Sequence, residues 1–227
     1  MKFQERSYSS TLFRPKPHIH LEGDGSLLLI TTSWGEPEFA ATAAGEIARY
    51  VTAARGDIEV TSPFEFLTGI SDEANHLRIG LLLANDVLYR GENRIEYVSG
   101  VEVMAVSRTE NEIAWAHVGA PHLLLRRPGR PLAPLATSFD HSFELALQGR
   151  REAPLPSRLL GVEPSCHVAC GNLQIGSGDL LVLLASSHLP PALWTTNDSY
   201  DLPTITKQMI QADTESPFWL GLVDFEE

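Results

Sequence analysis

Residues 115–142, WAHVGAPHLLLRRPGRPLAPLATSFDHS, constrain the fold more than any other stretch. An apolar alternation reaches Val118-Gly119, restarts as LLLRR, turns at Pro128-Gly129 and ends at Asp140-His141-Ser142. Gly119 can take backbone angles closed to other residues, and Pro128-Gly129 supplies a turn between two strand-like runs. A central β-hairpin is therefore expected, with sheet structure dominating the middle of the chain.

With 227 residues and 43% hydrophobic content, one large core is affordable and a single domain over residues 1–227 is expected. The formal net charge of −12 repels a nucleic-acid backbone and an anionic membrane surface and leaves basic partners open. No apolar run approaches the roughly 20 residues of a membrane span, and MKFQERSYSS lacks the apolar core of a signal peptide, so the expected location is cytoplasmic. Cys166 and Cys170 form a C-x3-C pair without a second ligand pair. They read as two small residues near a strand rather than as a zinc site or a disulfide.

Pro15 and Pro17 favour an edge or loop near the start. His18 and His20 would share one face of a strand, a spacing that holds a metal if a third ligand arrives from elsewhere; otherwise both rings are exposed or hydrogen-bonded at a strand end. The Gly23-Asp24-Gly25 turn and the apolar run 27–31 suggest a hairpin. Helical spacing is expected over 37–54 and over 71–89, with Ser71 as N-cap, the two helices packing as a pair on one sheet. Strands are expected over 97–107 and 113–118, around the polar turn 108–111. The polar, proline-bearing segment 145–157 reads as a surface excursion. Beyond it lie strand-like 159–162, 167–175 and 178–184, the last apolar enough to be central, then a helix over 204–212 and a strand over 218–225 buried on both faces.

These elements, in this order, resemble the metal-dependent serine/threonine phosphatases of the PPM (type 2C) family. Val118-Gly119, Arg126 or Arg127, Leu135-Ala136-Thr137 and Asp140-His141-Ser142 fall along the family's "anvGDSRayllR.g.l..LT.DHS" strand pair. Residues 27–30 resemble the strand before "DGMGGH", 100–105 the "mGtT.v.a" strand, and Leu159-Leu160-Gly161 the "raLG" segment. Residues 178–184 resemble "GDrlLLcSDGL", and 219–223 the final strand. The resemblance implies an α+β fold, a four-layer α/β/β/α sandwich of two antiparallel sheets flanked by paired helices.

The family's chemistry uses two hard divalent cations, which prefer carboxylate oxygens. At the corresponding positions this sequence carries His20 or Ile19, then Thr32-Ser33, then Ser186-Ser187 or Ser187-His188, and finally Glu215-Ser216. Neutral hydroxyls remove most of the charge that holds two dications. Asp24, Asp179 and Asp213 lie near these motifs, but strand alternation turns such neighbours elsewhere.

The leading expectation is a catalytically inactive phosphatase-like protein that binds another protein in a regulatory role, with no cofactor. Trp34, His188 and Pro190, beside the lost motifs, are the candidate partner-binding residues. One alternative is a phosphoprotein phosphatase rebuilt around His18, His20, His188 and Glu215, holding manganese, magnesium or a softer transition metal. Another is a small-molecule sensor whose emptied cleft is lined by Thr32, Ser33, Ser186 and Ser187. Trp115 and Trp219 read as core aromatics. Asp140-His141-Ser142 resembles a catalytic triad in composition only, because adjacent residues do not line up as nucleophile, base and orienter.

Overall fold

A computed structural model describes residues 1–56, 62–150, 152–195 and 200–225. The chain divides into two compact units: one of Met1–Lys16, Ala120–Ser157 and Gly176–Glu227, the other of Pro17–Gly119 and Arg158–Ile175. Each is built on a five-stranded antiparallel sheet.

The second unit contains β2 (His18–Leu21), β3 (Leu27–Trp34), α1 (Glu38–Gly56), α2 (Asp72–Arg90), β4 (Gly100–Thr109), β5 (Glu112–Val118) and β8 (Ala169–Gln174). Its strand order is β2-β3-β4-β5-β8. The β2–β3 hairpin closes as expected, with Asp24 accepting from the Ser26 amide at 2.8 Å and Gly25 at φ +70°. Ser71 caps α2 by accepting from the Ala74 amide at 3.3 Å. Leu27 and Leu29 of β3 and Val101, Val103 and Ala105 of β4 meet Ala43, Ile47, Leu77 and Leu81 of the helix pair in one buried core. Cys166 and Cys170 are free thiols packed against that core.

The first unit contains β1 (Lys2–Tyr8), β6 (His122–Arg126), β7 (Ala133–Ala136), α3 (His141–Leu147), β9 (Leu180–Ala185), α4 (Ala192–Thr195), α5 (Leu202–Ala212) and β10 (Phe218–Asp224). Its strand order is β1-β10-β9-β6-β7, so the most apolar strand, β9, is central as its composition requires. Leu124, Val182, Leu184, Leu220 and Leu222 pack with Ile205 and Met209 of α5, while the alternate residues Leu123, Leu181, Leu183 and Trp219 are also buried. Asp201 caps α5 by accepting from the Thr204 amide at 2.7 Å.

Four expectations need correction. The stretch 115–142 is not one central hairpin: β5 belongs to one sheet and β6 to the other, and Gly119 at φ +73° makes the passage between them. The hairpin at Pro128-Gly129 joins β6 to the edge strand β7, where Pro134 withholds no needed hydrogen bond. Strand β4 begins at Gly100 rather than 97, because Asn93 Oδ1 accepts from the Val98 and Ser99 amides at 2.8 and 3.1 Å and holds that segment off the ladder. The excursion at 145–157 begins inside a helix, α3, which Asp140 caps through the Ser142 amide at 2.9 Å. Segment 159–162 gives a single bridge, Leu160 to Val101, before Gly161 turns at φ +81°.

Candidate functional site

In the second unit the relevant positions lie at the end of β3. Strand alternation sends Leu27, Leu29 and Thr31 toward α1, where Thr31 Oγ1 donates to the Ala40 carbonyl at 2.9 Å. Thr32 therefore lies on the other face, opposite Glu102 of β4, and both are buried. Glu102 interrupts the apolar run 100–106 of β4, and it accepts from Trp34 Nε1 at 2.9 Å. The Trp34 carbonyl accepts from the Tyr97 hydroxyl at 2.9 Å. Ser33 Oγ reaches the Glu36 carbonyl at 2.6 Å and Ser99 Oγ at 2.7 Å.

Two glycines permit this packing. A Cβ on Gly119 would stand 2.7 Å from Glu102 Cγ, and one on Gly35, at φ +143°, would stand 2.4 Å from the Val98 carbonyl oxygen. Nearby, His117 is buried, with Nδ1 3.2 Å from the Gly119 carbonyl. Burial pushes its pKa below the ordinary imidazole value.

His18 and His20 share a face, as their spacing implies, but they stand opposite Thr31 and Leu29. That is the face turned toward the helices, away from Thr32 and Glu102. Leu29 and Thr32 are also three residue steps apart on β3, about 10 Å along a strand.

In the first unit the positions after β9 gather on Asp140. Its Oδ1 accepts from the Ser142 amide at 2.9 Å, Ser142 Oγ at 2.7 Å and the Leu155 amide at 2.8 Å. Its Oδ2 accepts from Ser187 Oγ at 3.2 Å and lies 3.5 Å from Nη1 of the buried Arg14. Ser186 is buried, and its Oγ accepts from the His188 amide at 3.4 Å. His122 accepts at Nδ1 from the Ser138 amide at 3.1 Å, which makes Nε2, 3.3 Å from the Ser186 carbonyl, the protonated nitrogen. His141 turns away to pack edge-on against Phe139, so Asp140 and Ser142 touch without an imidazole from His141 between them.

Pro190 is buried and its carbonyl accepts from the Leu193 amide at 3.1 Å; Trp194 packs against the core around α5. Glu215 is exposed and donates its amide to Asp213 Oδ1 at 2.9 Å. The three acids near the motifs have local partners: Asp24 with Ser26, Asp179 with Arg127 Nη2 at 2.8 Å, Asp213 with Ser216 Oγ at 2.8 Å. Among the described residues no three His, Cys, Asp or Glu side chains are grouped as a metal ion requires.

Beside α3 the first unit also holds a cavity of about 340 Å³ that includes Ser142, Ser187, His188 and Asp213 in its lining. Sequence reading missed the hub role of Asp140 and the buried Glu102. Each left a trace: Asp140 precedes Phe143 and Leu147 at one-turn spacing, and Glu102 interrupts the apolar run VEVMAV.

No protein-family model matches the chain, and no curated protein matches it in sequence. Solved structures do match in fold. The PPM Ser-Thr phosphatase MsPP from Mycobacterium smegmatis, in complex with cacodylate, is 16% identical over 100% of this chain and 99% of its own, with a TM-score of 0.65. PppA, a key regulatory component of T6SS in Pseudomonas aeruginosa, is 14% identical over 97% and 96%, with a TM-score of 0.63. The Mycobacterium tuberculosis serine/threonine phosphatase PstP/Ppp is 16% identical over 100% and 99%, with a TM-score of 0.60. The fold is that of the PPM phosphatases.

Proposed function

We propose that this protein keeps the PPM phosphatase fold without its metal-dependent chemistry and works as a regulatory protein that binds another protein. The observation that carries the reading is what occupies the positions where the family would place metal-binding carboxylates. The resemblance puts them at Thr32 and at Ser186 or Ser187: Thr32 is a buried neutral hydroxyl opposite Glu102, and Ser187 donates to Asp140. A pair of dications prefers several anionic oxygens turned toward one point. The described residues do not fit that requirement. Similarity in fold to PppA, described as a regulatory component, is compatible with the proposed role.

Trp34 takes a supporting part here, since its indole N–H is bound to Glu102, and His188 is the better placed of the candidate contact residues because it lines the cavity. A ligand that binds only the folded state raises the melting temperature by mass action. Millimolar Mn²⁺ should therefore leave the melting temperature within about 1 °C of its value in chelator. A manganese-specific rise of several degrees, lost on His188→Ala, would instead favour a rebuilt metal site.

A further inference from the structure

We propose that the cavity beside α3 takes the basic side chain of a partner peptide, an arginine or lysine flanked by apolar residues. This rests on the reading that the protein acts by binding protein, and it assigns the chemistry of the partner. The observation behind it is that the hydroxyls lining the cavity have their hydrogens committed to carboxylates.

Ser142 Oγ donates to Asp140 Oδ1 at 2.7 Å, Ser187 Oγ to Asp140 Oδ2 at 3.2 Å, and Ser216 Oγ to Asp213 Oδ2 at 2.8 Å. All three serines line the cavity. With its single hydrogen engaged, a hydroxyl offers a newcomer only lone pairs. The carboxylates of Asp213 and Glu152, which also line it, are acceptors too. Guanidinium and ammonium groups carry donors and no acceptor, so they complement these acceptors in hydrogen bonding and in charge, whereas an anion meets a donor among the lining side chains only at the His188 ring. No lysine or arginine is among the described residues of the lining. Arg150 pairs with Glu152 at 2.9 Å, but with side-chain exposures of 64% and 42% that pair is easily exchanged in water.

The apolar part of the wall suits the aliphatic stem of such a residue and its neighbours. Phe143 and Leu147, one turn apart on α3, are 39% and 73% exposed. Leu12 and Pro217 extend that wall. Phe139 and Leu155 are exposed as well, on segments joined where the His141 amide donates to the Leu155 carbonyl and the Ser157 amide to that of Phe139. Exposed apolar side chains lining a polar recess are characteristic of an interaction site. A volume of about 340 Å³ admits one long side chain.

The test uses a fluorescein-labelled hexapeptide, Gly-Leu-Arg-Leu-Arg-Gly, with counterparts carrying citrulline or glutamate in place of arginine. Binding is followed by anisotropy on the full chain and mapped by amide chemical shifts. The arginine peptide is expected to shift amides of α3, Ser187, His188 and Ser216, and to bind at least tenfold more tightly than either counterpart. Glu152→Gln with Asp213→Asn, which keeps the turn-forming oxygen of residue 213, should weaken it at least tenfold. Leu147→Ser, an exposed change that leaves the core intact, should weaken it several-fold. Equal binding of the glutamate peptide, shifts elsewhere on the protein, or no loss in the double variant would overturn the assignment. Metal-dependent hydrolysis of a phosphopeptide by the same preparation would instead overturn the non-catalytic reading, leaving the shift map to decide the cavity.

Discussion

Replacing Glu73 by Gln should lower this protein's stability at neutral pH and leave its stability in strong acid almost unchanged. Glu73, in the first turn of α2, has a side chain only 15% exposed. Burial by itself would raise its pKa, but His76, Arg55 and Ser107 around the carboxylate more than reverse this and hold it at about 2, against 4.5 for an ordinary glutamate. Arg55 Nη2 lies 2.6 Å from Oε1, and the Ser107 hydroxyl donates to the same oxygen. His76 Nδ1 lies 3.7 Å from Oε2.

A lowered pKa means that the unfolded chain binds the proton more readily than the folded one. The stabilisation is then complete above pH 4.5 and disappears as the pH falls toward 2. A shift of this size corresponds to about 3 kcal/mol. Urea unfolding of both proteins between pH 7 and pH 2.5 measures it. Glu73→Gln should be less stable by about 3 kcal/mol at pH 7, and the gap should shrink steadily below pH 4.5. A gap that stays constant across this range would show that the carboxylate's charge contributes nothing.

Two further changes probe the candidate positions. Trp34→Phe removes the indole N–H from the buried Glu102 and should cost about 1–3 kcal/mol in urea unfolding; a change below about 0.5 kcal/mol would mean that Trp34 is available for other contacts. Asp140→Asn keeps the shape of the α3 cap but removes the carboxylate beside the buried Arg14 guanidinium, and should cost about 3–5 kcal/mol, with α3 amides exchanging faster; retention of full stability would contradict the hub role of Asp140.

Period and capping made much of the fold legible. The helix pair, the cap at Ser71, the β2–β3 hairpin and the central position of β9 follow from local patterns that tertiary packing reinforces. The failures share a cause, in that distant side chains decided the outcome. Nothing near Tyr97 indicates that Asn93 will bind the next two amides, and nothing near Val118 indicates that the following strand belongs to another sheet. At the candidate site, the neutral residues aligned with the family's acids were visible in the sequence. The partners of the hydroxyls beside those positions were not, because Ser99 lies 66 positions from Ser33 and Asp140 lies 47 from Ser187. The face occupied by His20 depended on register, which pairing with β3 sets.

The most direct test of the central claim is hydrolysis of a phosphothreonine peptide by the purified chain in Mn²⁺ or Mg²⁺, followed by phosphate release over hours and repeated in chelator. A rate indistinguishable from buffer under all three conditions is expected, since among the described residues no three His, Cys, Asp or Glu side chains are grouped as a metal ion requires. Phosphate release that requires the metal, saturates with peptide and disappears in chelator would contradict it.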